Sequence, residues 1–331
     1  MAGNLFIPID FGLNGPGNDN GNRPWQGPQA FYDNSSIWLD PRTNVAHVGE
    51  ATHVKVRVSN RGTQKMQAVT VQAWSFVPGI GNMSPSSAIQ TFESGIGDIP
   101  AGGSLVFTCD ASPVWHPSTA ELAKTTNGHM CIIANCFQSD EFVPDPEGGP
   151  VPNPVPVNPE GDQHQGQRNI QIVQVQQAAA SEPQHVHYST YTPPASPTPH
   201  TGPYLVSATH NLRDLDPAAI LALRGHEGFA VDPDSGIVNG GGLNLITSEG
   251  LRRILPSTEP PAFELRVPNL PGLDEMFHFA EDRPAMIDSE MVVQLPRDAE
   301  VGSLHSFDIS LKDDKGYLVG SGLTVMMLVT E

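Results

Sequence analysis

An all-β chain of two sandwiches in tandem, preceded by an extended N-terminal arm, is what this sequence predicts, and three observations carry the prediction. Val54, Val56 and Val58 alternate with His53, Lys55, Arg57 and Ser59, and Val69, Val71 and Ala73 alternate with Thr70 and Gln72. A period of two puts one row of each stretch on a buried sheet face. Gly and Pro number 32 each while charged residues make up only 16% of the chain, a balance rich in turns and poor in the charge that helix surfaces carry. At 331 residues the chain is long enough for two domains that each bury a core.

Taken in order, residues 1–35 are rich in Asn, Gly and Pro, with one apolar island of Leu5, Phe6, Ile7, Ile9 and Phe11 around Pro8. Proline excludes a central strand and allows an edge or an arm. Two readings stand: a loosely packed tail, or an arm that adds to the sheet edge of a neighbouring subunit. Ser36–Pro41 reads as the first strand of domain one. Two antiparallel strands follow, Ala51–Ser59 and Gln67–Trp74, joined by a turn at Asn60-Arg61-Gly62, residues that supply turn conformations. Leu105–Cys109 and His129–Cys136 are further strands. Ser118 with Glu121 has capping-box spacing for a short helical turn. Within the Pro-rich insert 143–167, the run from Val143 to about Pro159 favours extended structure and cannot join a sheet interior. Because Asn169–Val175 alternates again as a strand, the insert is a loop within domain one, which spans 36–177. A small-residue linker follows over 178–203, and a second β-rich sandwich over 204–331. Its segments are a capped helix at Asp216–Arg224 and strands at 263–267, 291–295 and 306–311. A final hairpin turns at Lys312–Gly316 and runs to Val329.

The formal charge of −19 repels phosphate backbones and anionic lipid, which argues against nucleic-acid partners. No apolar run approaches the roughly 20 residues of a membrane helix. The first residues, MAGNLFIPIDFGLNG, lack a basic n-region and an apolar h-region. The expectation is therefore cytoplasmic synthesis without a signal peptide, in a protein that joins a particle or a released surface assembly. Cys109, Cys131 and Cys136 form no C-x-x-C pair and read as buried strand residues.

The motifs Ser36-Ile37-Trp38-Leu39, Val56–Gly62, Ile99–Gly103, Gly128–Ala134 and Gln167–Ile170 follow one another along the first half of the chain. Their order resembles the signatures of CARDB-like bacterial immunoglobulin-fold domains. The resemblance covers about residues 36–176 and implies an Ig-like sandwich used for adhesion, display or assembly. In that family these are scaffold positions, so no site residue is carried over.

No catalytic set emerges. G-x-S-x-G and H-E-x-x-H are absent, and Gly225-His226-Glu227-Gly228 lacks the second histidine. Asp232–Gly236 looks like part of a calcium loop without its bidentate Glu. His185 and His187 share one strand face and could ligate zinc or copper, but spacing fixes no third ligand, and no metal or cofactor is assigned. Trp25 and Trp115, both in loops, are candidates for stacking on sugar rings, whereas Trp38 and Trp74 read as core. The sequence therefore predicts a non-enzymatic structural and interaction protein. It would be a homo-oligomeric subunit or decoration of a larger protein assembly, touching partners through Leu5, Phe6, Ile7, Ile9, Phe11, edge strands and the Pro-rich loop. The alternative is a glycan-binding or adhesion module acting through Trp25 and Trp115.

Overall fold

A computed structural model describes residues 3–9, 19–26, 30–41, 46–125, 129–139, 147–191, 205–211, 229–231, 244–247, 250–253, 255–256, 261–266, 286–313 and 315–331. The first half carries β1 (Leu5–Phe6), β2 (Ile37–Asp40), β3 (His53–Asn60), β4 (Met66–Phe76) and β5 (Gly79–Gly81). It continues with β6 (Gln90–Ser94), β7 (Gly97–Ile99), β8 (Ser104–Asp110), the short helix α1 (Thr119–Leu122), β9 (Cys131–Gln138) and β10 (Gln165–Arg168). The second half carries β11 (Ile170–Gln176), β12 (Gln184–Tyr191), β13 (Leu205–Asn211), β14 (Phe229–Val231), β15 (Asn244–Thr247) and β16 (Gly250–Arg253). It ends with β17 (Leu255–Pro256), β18 (Ala262–Arg266), β19 (Met286–Gln294), β20 (Ser303–Lys312) and β21 (Leu318–Thr330). The fold is all-β with two sandwiches, as the alternation requires. One sheet runs β1-β3-β8-β6-β4-β9-β10, and a second runs β13-β20-β21-β5-β12-β19-β18. The strands β14, β15 and β16 form a small sheet of their own.

The alternating valines behave as their spacing demands, but β3 and β4 do not pair with each other. β3 pairs with β8 and β4 pairs with β9, so the turn after Asn60 carries the chain from one layer to the other. Val54, Val56 and Val58 then meet Val69, Val71 and Ala73 across a core that also holds Phe92, Phe107 and Trp115. The turn is held by Asn60, whose buried side-chain amide donates to the carbonyls of Gln64, Ile99 and Pro100. β11, assigned by sequence to domain one, runs parallel to β21. Gln184–Tyr191, inside the expected linker, is a full strand paired with β19. By strand pairing the chain passes between sandwiches at Asn169, because the apolar row of β11 and β12 (Val175, Val186, Tyr188) completes the second core. The expected helix at Asp216–Arg224 lies outside the described residues.

Between the sandwiches, the two halves are interlocked. β5 leaves the first sandwich and enters the second sheet, parallel to β12 and beside Ser321 of β21. Ile80 is buried in the second core. The crossing needs glycine: a Cβ on Gly79 would lie 2.2 Å from the Ser189 carbonyl oxygen, and one on Gly320 (φ +69°) would lie 2.1 Å from that of Gly81. Asn169, wholly buried, bridges both halves, its side-chain amide donating to the carbonyls of Gly79 (2.7 Å) and Gly322 (2.6 Å).

Candidate functional site

The N-terminal arm does not project toward a neighbour. Leu5 and Phe6 pair with Asn60 and Ser59 of β3. On the other side, Ile7 N donates to the Gln163 carbonyl (2.9 Å) and Gln163 Nε2 donates to that of Leu5 (2.9 Å). The arm is thus a stave between β3 and the approach to β10, closing one seam of the first sandwich. Leu5, Phe6, Ile7 and Ile9 are buried. Their apolar side chains find a core in their own chain, which removes them as contact residues for another subunit. Phe11 lies outside the described residues.

Trp115 is 4% exposed, packs edge-to-face on Phe92 and donates from Nε1 to Glu121 (3.0 Å). A ring enclosed in this way cannot stack on a sugar, so the platform read from Trp25 and Trp115 does not form. Trp25 is half-buried under the Arg23 guanidinium, 5.8 Å from its ring centre. The capping box expected at Ser118 is present, with Glu121 N donating to Ser118 Oγ and Ser118 N to the Glu121 carboxylate. The described part of the Pro-rich insert lies along the sheet: Val157 is buried with Trp74, Phe76 and Ile133, and Val157 N donates to the Met83 carbonyl. It covers an apolar face and is not a projecting loop.

His185 and His187 do share an outward face, and the β12–β19 register brings Glu290 between them, at 2.7 Å from His185 Nδ1 and 3.6 Å from His187 Nε2. Among the described residues no group of three or more His, Cys, Asp and Glu could hold a metal ion. The three cysteines are free and buried. Burial raises the thiols of Cys109 and Cys131 to about 12 and pushes Cys136 up as well, so none is a thiolate at neutral pH. The residues Asp232–Gly236 and His226–Glu227 lie outside the described ones.

The seam opposite the arm is open, and sequence reasoning did not single it out. β7 and β8 are joined by a tight turn in which Gly103 N donates to the Pro100 carbonyl. β7 pairs with β4, whereas β8 pairs with β3 and meets β6 only at Cys109 and Asp110. Among the described residues, therefore, β8 has a ladder partner on one side only from Ser104 to Thr108, and on the other side Gly97 of β7 lies against the Leu105 and Phe107 side chains without pairing. Asn60 N donates to the Gly103 carbonyl and Arg57 N to that of Ser36. By the alternation of an antiparallel ladder, the Val106 N–H and C=O then point away from β3, toward the open side. Apolar side chains rim this edge: Ile96 is 71% exposed, Val106 45% and Leu105 37%. Beside them Lys65 pairs with Asp98 at 2.7 Å, and that bond holds the Asp98 carboxyl below its ordinary range. An unpaired strand edge with an apolar rim is a template for a further strand.

Comparison with known proteins finds no matching family model, the CARDB-like one included, and no matching curated protein. Among solved structures, red sea bream transglutaminase aligns at 11% identity over 89% of this chain and 31% of its own, TM-score 0.18. This chain thus spans about a third of that enzyme. The CupB6 tip adhesin of Pseudomonas aeruginosa aligns at 9% identity over 90% and 99% of the two chains, TM-score 0.18. An N-terminal region of the enterococcal surface protein aligns at 10% over 94% and 99%, TM-score 0.20. Scores this low carry no statement about shared fold or role. No described helix is long and apolar enough to cross a membrane.

Proposed function

We propose that this chain is a non-catalytic structural module that joins a protein assembly, pairing with a second copy of itself by strand addition along the open edge of β8. The observation that carries the reading is the asymmetry of the first sandwich, sealed by its own arm on one side and left unpaired, with an apolar rim, on the other. Backbone groups supply affinity in such a contact and the rim supplies its register. The interlock through β5 supports a load-bearing role, since it ties the two sandwiches by backbone pairing as well as by the linking chain. The Ig-like character implied by the CARDB resemblance fits the same use.

The test is the oligomeric state by size-exclusion chromatography with light scattering. Val106→Pro removes an outward N–H without breaking the β3 ladder, and Ile96→Asp charges the rim. The expected result is a concentration-dependent dimer in the native chain and monomer in both variants, with unchanged circular dichroism. A native chain that stays monomeric at its solubility limit overturns the reading.

A further inference from the structure

Within the second sandwich, one core row contains an exception. Phe307, Ile309 and Leu311 of β20 face the core, and His305, on the same face by alternation, is 1% exposed. On the edge strand β13 the register sets His210 opposite Phe307, diagonal to His305. The two imidazole centres lie 6.3 Å apart with planes tilted by 37°, and His210 lies 5.3 Å from the Phe307 ring. Met327, fully buried, stands directly across the β20–β21 ladder from His305, so the two share a face with Cβ atoms about 5 Å apart.

These imidazoles lack what buried polar groups ordinarily have. Among the described residues, both ring nitrogens of His210 and Nδ1 of His305 are buried with no hydrogen-bond partner, and Nε2 of His305 has the Ser303 hydroxyl alone, at 3.5 Å. Each such atom costs about 1–3 kcal/mol, and a group of them in one place marks an absent partner, an ion or a water. Burial, with His210 adding repulsion, lowers His305 to about 4, and burial lowers His210 too. Both rings are therefore neutral at pH 7, the form that ligates metals.

We infer that His210, His305 and Met327 hold one copper(I) ion in the core of the second sandwich. Two metal–nitrogen bonds of about 2.0 Å, with about 1.1 Å from each nitrogen to its ring centre, span roughly 6 Å when the nitrogens face each other across the ion, so the 6.3 Å observed fits a near-linear nitrogen–copper–nitrogen arrangement with the sulfur as a third ligand from the side. Two imidazoles with a thioether across the ladder from one of them are a soft set that selects copper(I) over magnesium, calcium or manganese. Charge points the same way. None of the three side chains is anionic, and Asp308, alternating with Phe307, is directed to the other face of β20. Desolvation grows steeply with ionic charge, so a monovalent ion suits a neutral, largely buried site better than a divalent one. Entry is by way of β13, where His210 is only half-buried.

The test uses the full chain under anaerobic conditions, titrated with copper(I) against a chromophoric chelator, with X-ray absorption of the loaded protein. The expected result is one equivalent bound with two nitrogen ligands and one sulfur. Met327→Leu, which conserves volume, should weaken binding about tenfold and remove the sulfur signal. His210→Phe should abolish binding, and a His185→Gln/His187→Gln double variant should bind like the native chain. Copper(I) should raise the melting temperature of the native chain and not that of His210→Phe, whose own melt reports whether it folds. No stoichiometric binding by the native chain overturns the inference. So does binding that survives both Met327→Leu and His210→Phe, or that vanishes in the His185/His187 variant, since either places the ion elsewhere.

Discussion

Replacing Asn169 by alanine tests the interlock between the two sandwiches. In the parallel β5–β12 ladder the Pro78 carbonyl accepts from Ser189 N and Asn82 N donates to the Tyr191 carbonyl. The Gly79 carbonyl therefore faces the other way, toward the Asn169 amide 2.7 Å off. Losing that donor strands a buried carbonyl at about 1–3 kcal/mol. The Gly322 carbonyl fares better, because Gln167 Nε2 also donates to it at 3.2 Å, and its loss is about 1 kcal/mol. Together the change costs roughly 2–4 kcal/mol, or about 4–8 °C in melting temperature at about 2 °C per kcal/mol for a large chain. Gln167→Ala is the internal control: it gives up the longer, shared bond and also removes a buried side-chain oxygen that has no partner among the described residues, so it should cost no more than about 1 kcal/mol. Scanning calorimetry should show one transition in the native chain and two in Asn169→Ala, as the sandwiches come to melt separately. A loss below about 0.5 kcal/mol, or an equal loss in Gln167→Ala, refutes the assignment of the coupling to Asn169.

Other outcomes follow from single positions. The metal-free chain should lose stability on acidification because His305 has its folded value lowered from 6.5 to about 4. Between these values the unfolded chain binds a proton that the folded chain does not, so stability falls by up to about 3 kcal/mol as pH drops through that window, and His305 contributes no slope above it; urea midpoints from pH 7 to pH 4.5, compared with His305→Phe, measure it. Gly320→Ala combines a left-handed φ with a Cβ 2.1 Å from the Gly81 oxygen and should cost more than about 2 kcal/mol by the same denaturation assay. Ala68 sits at φ 51° in the irregular start of β4, and Ala68→Gly should stabilise by about 0.5–1 kcal/mol. Glu121→Ala leaves the enclosed Trp115 N–H without its acceptor and should cost about 1–3 kcal/mol, with tryptophan emission reporting the change.

What the sequence reveals and what it hides divide along one physical line. Period-two alternation shows which side of a strand is buried, so the rows of β3, β4, β20 and β21 are legible. Alternation says nothing of which strand lies alongside, and so Val54–Val58 and Val69–Ala73 look like hairpin neighbours when they face each other across a core. The arm shows the same gap: Leu5, Ile7 and Ile9 are plainly apolar and extended, but the edge they fill belongs to Ser59 and Asn60 of the same chain. Gly79-Ile80-Gly81 reads as a loop because its strand character comes entirely from backbones 110 and 240 residues further on. The open edge of β8 is hidden because an unpaired edge is defined by what is missing beside it. His210 and His305 are 95 positions apart, and only the β13–β20 register brings them together.

The Gly-Ile-Gly insertion also sets how this architecture can be cut and recombined. A fragment of residues 170–331 would carry a gap between β21 and β12 with an empty socket for one isoleucine, while a fragment ending at Arg168 would hold that plug out in water. Neither half can be transplanted as a free-standing cassette. Mixed, the two fragments should find each other by complementation, with a three-residue key deciding the match.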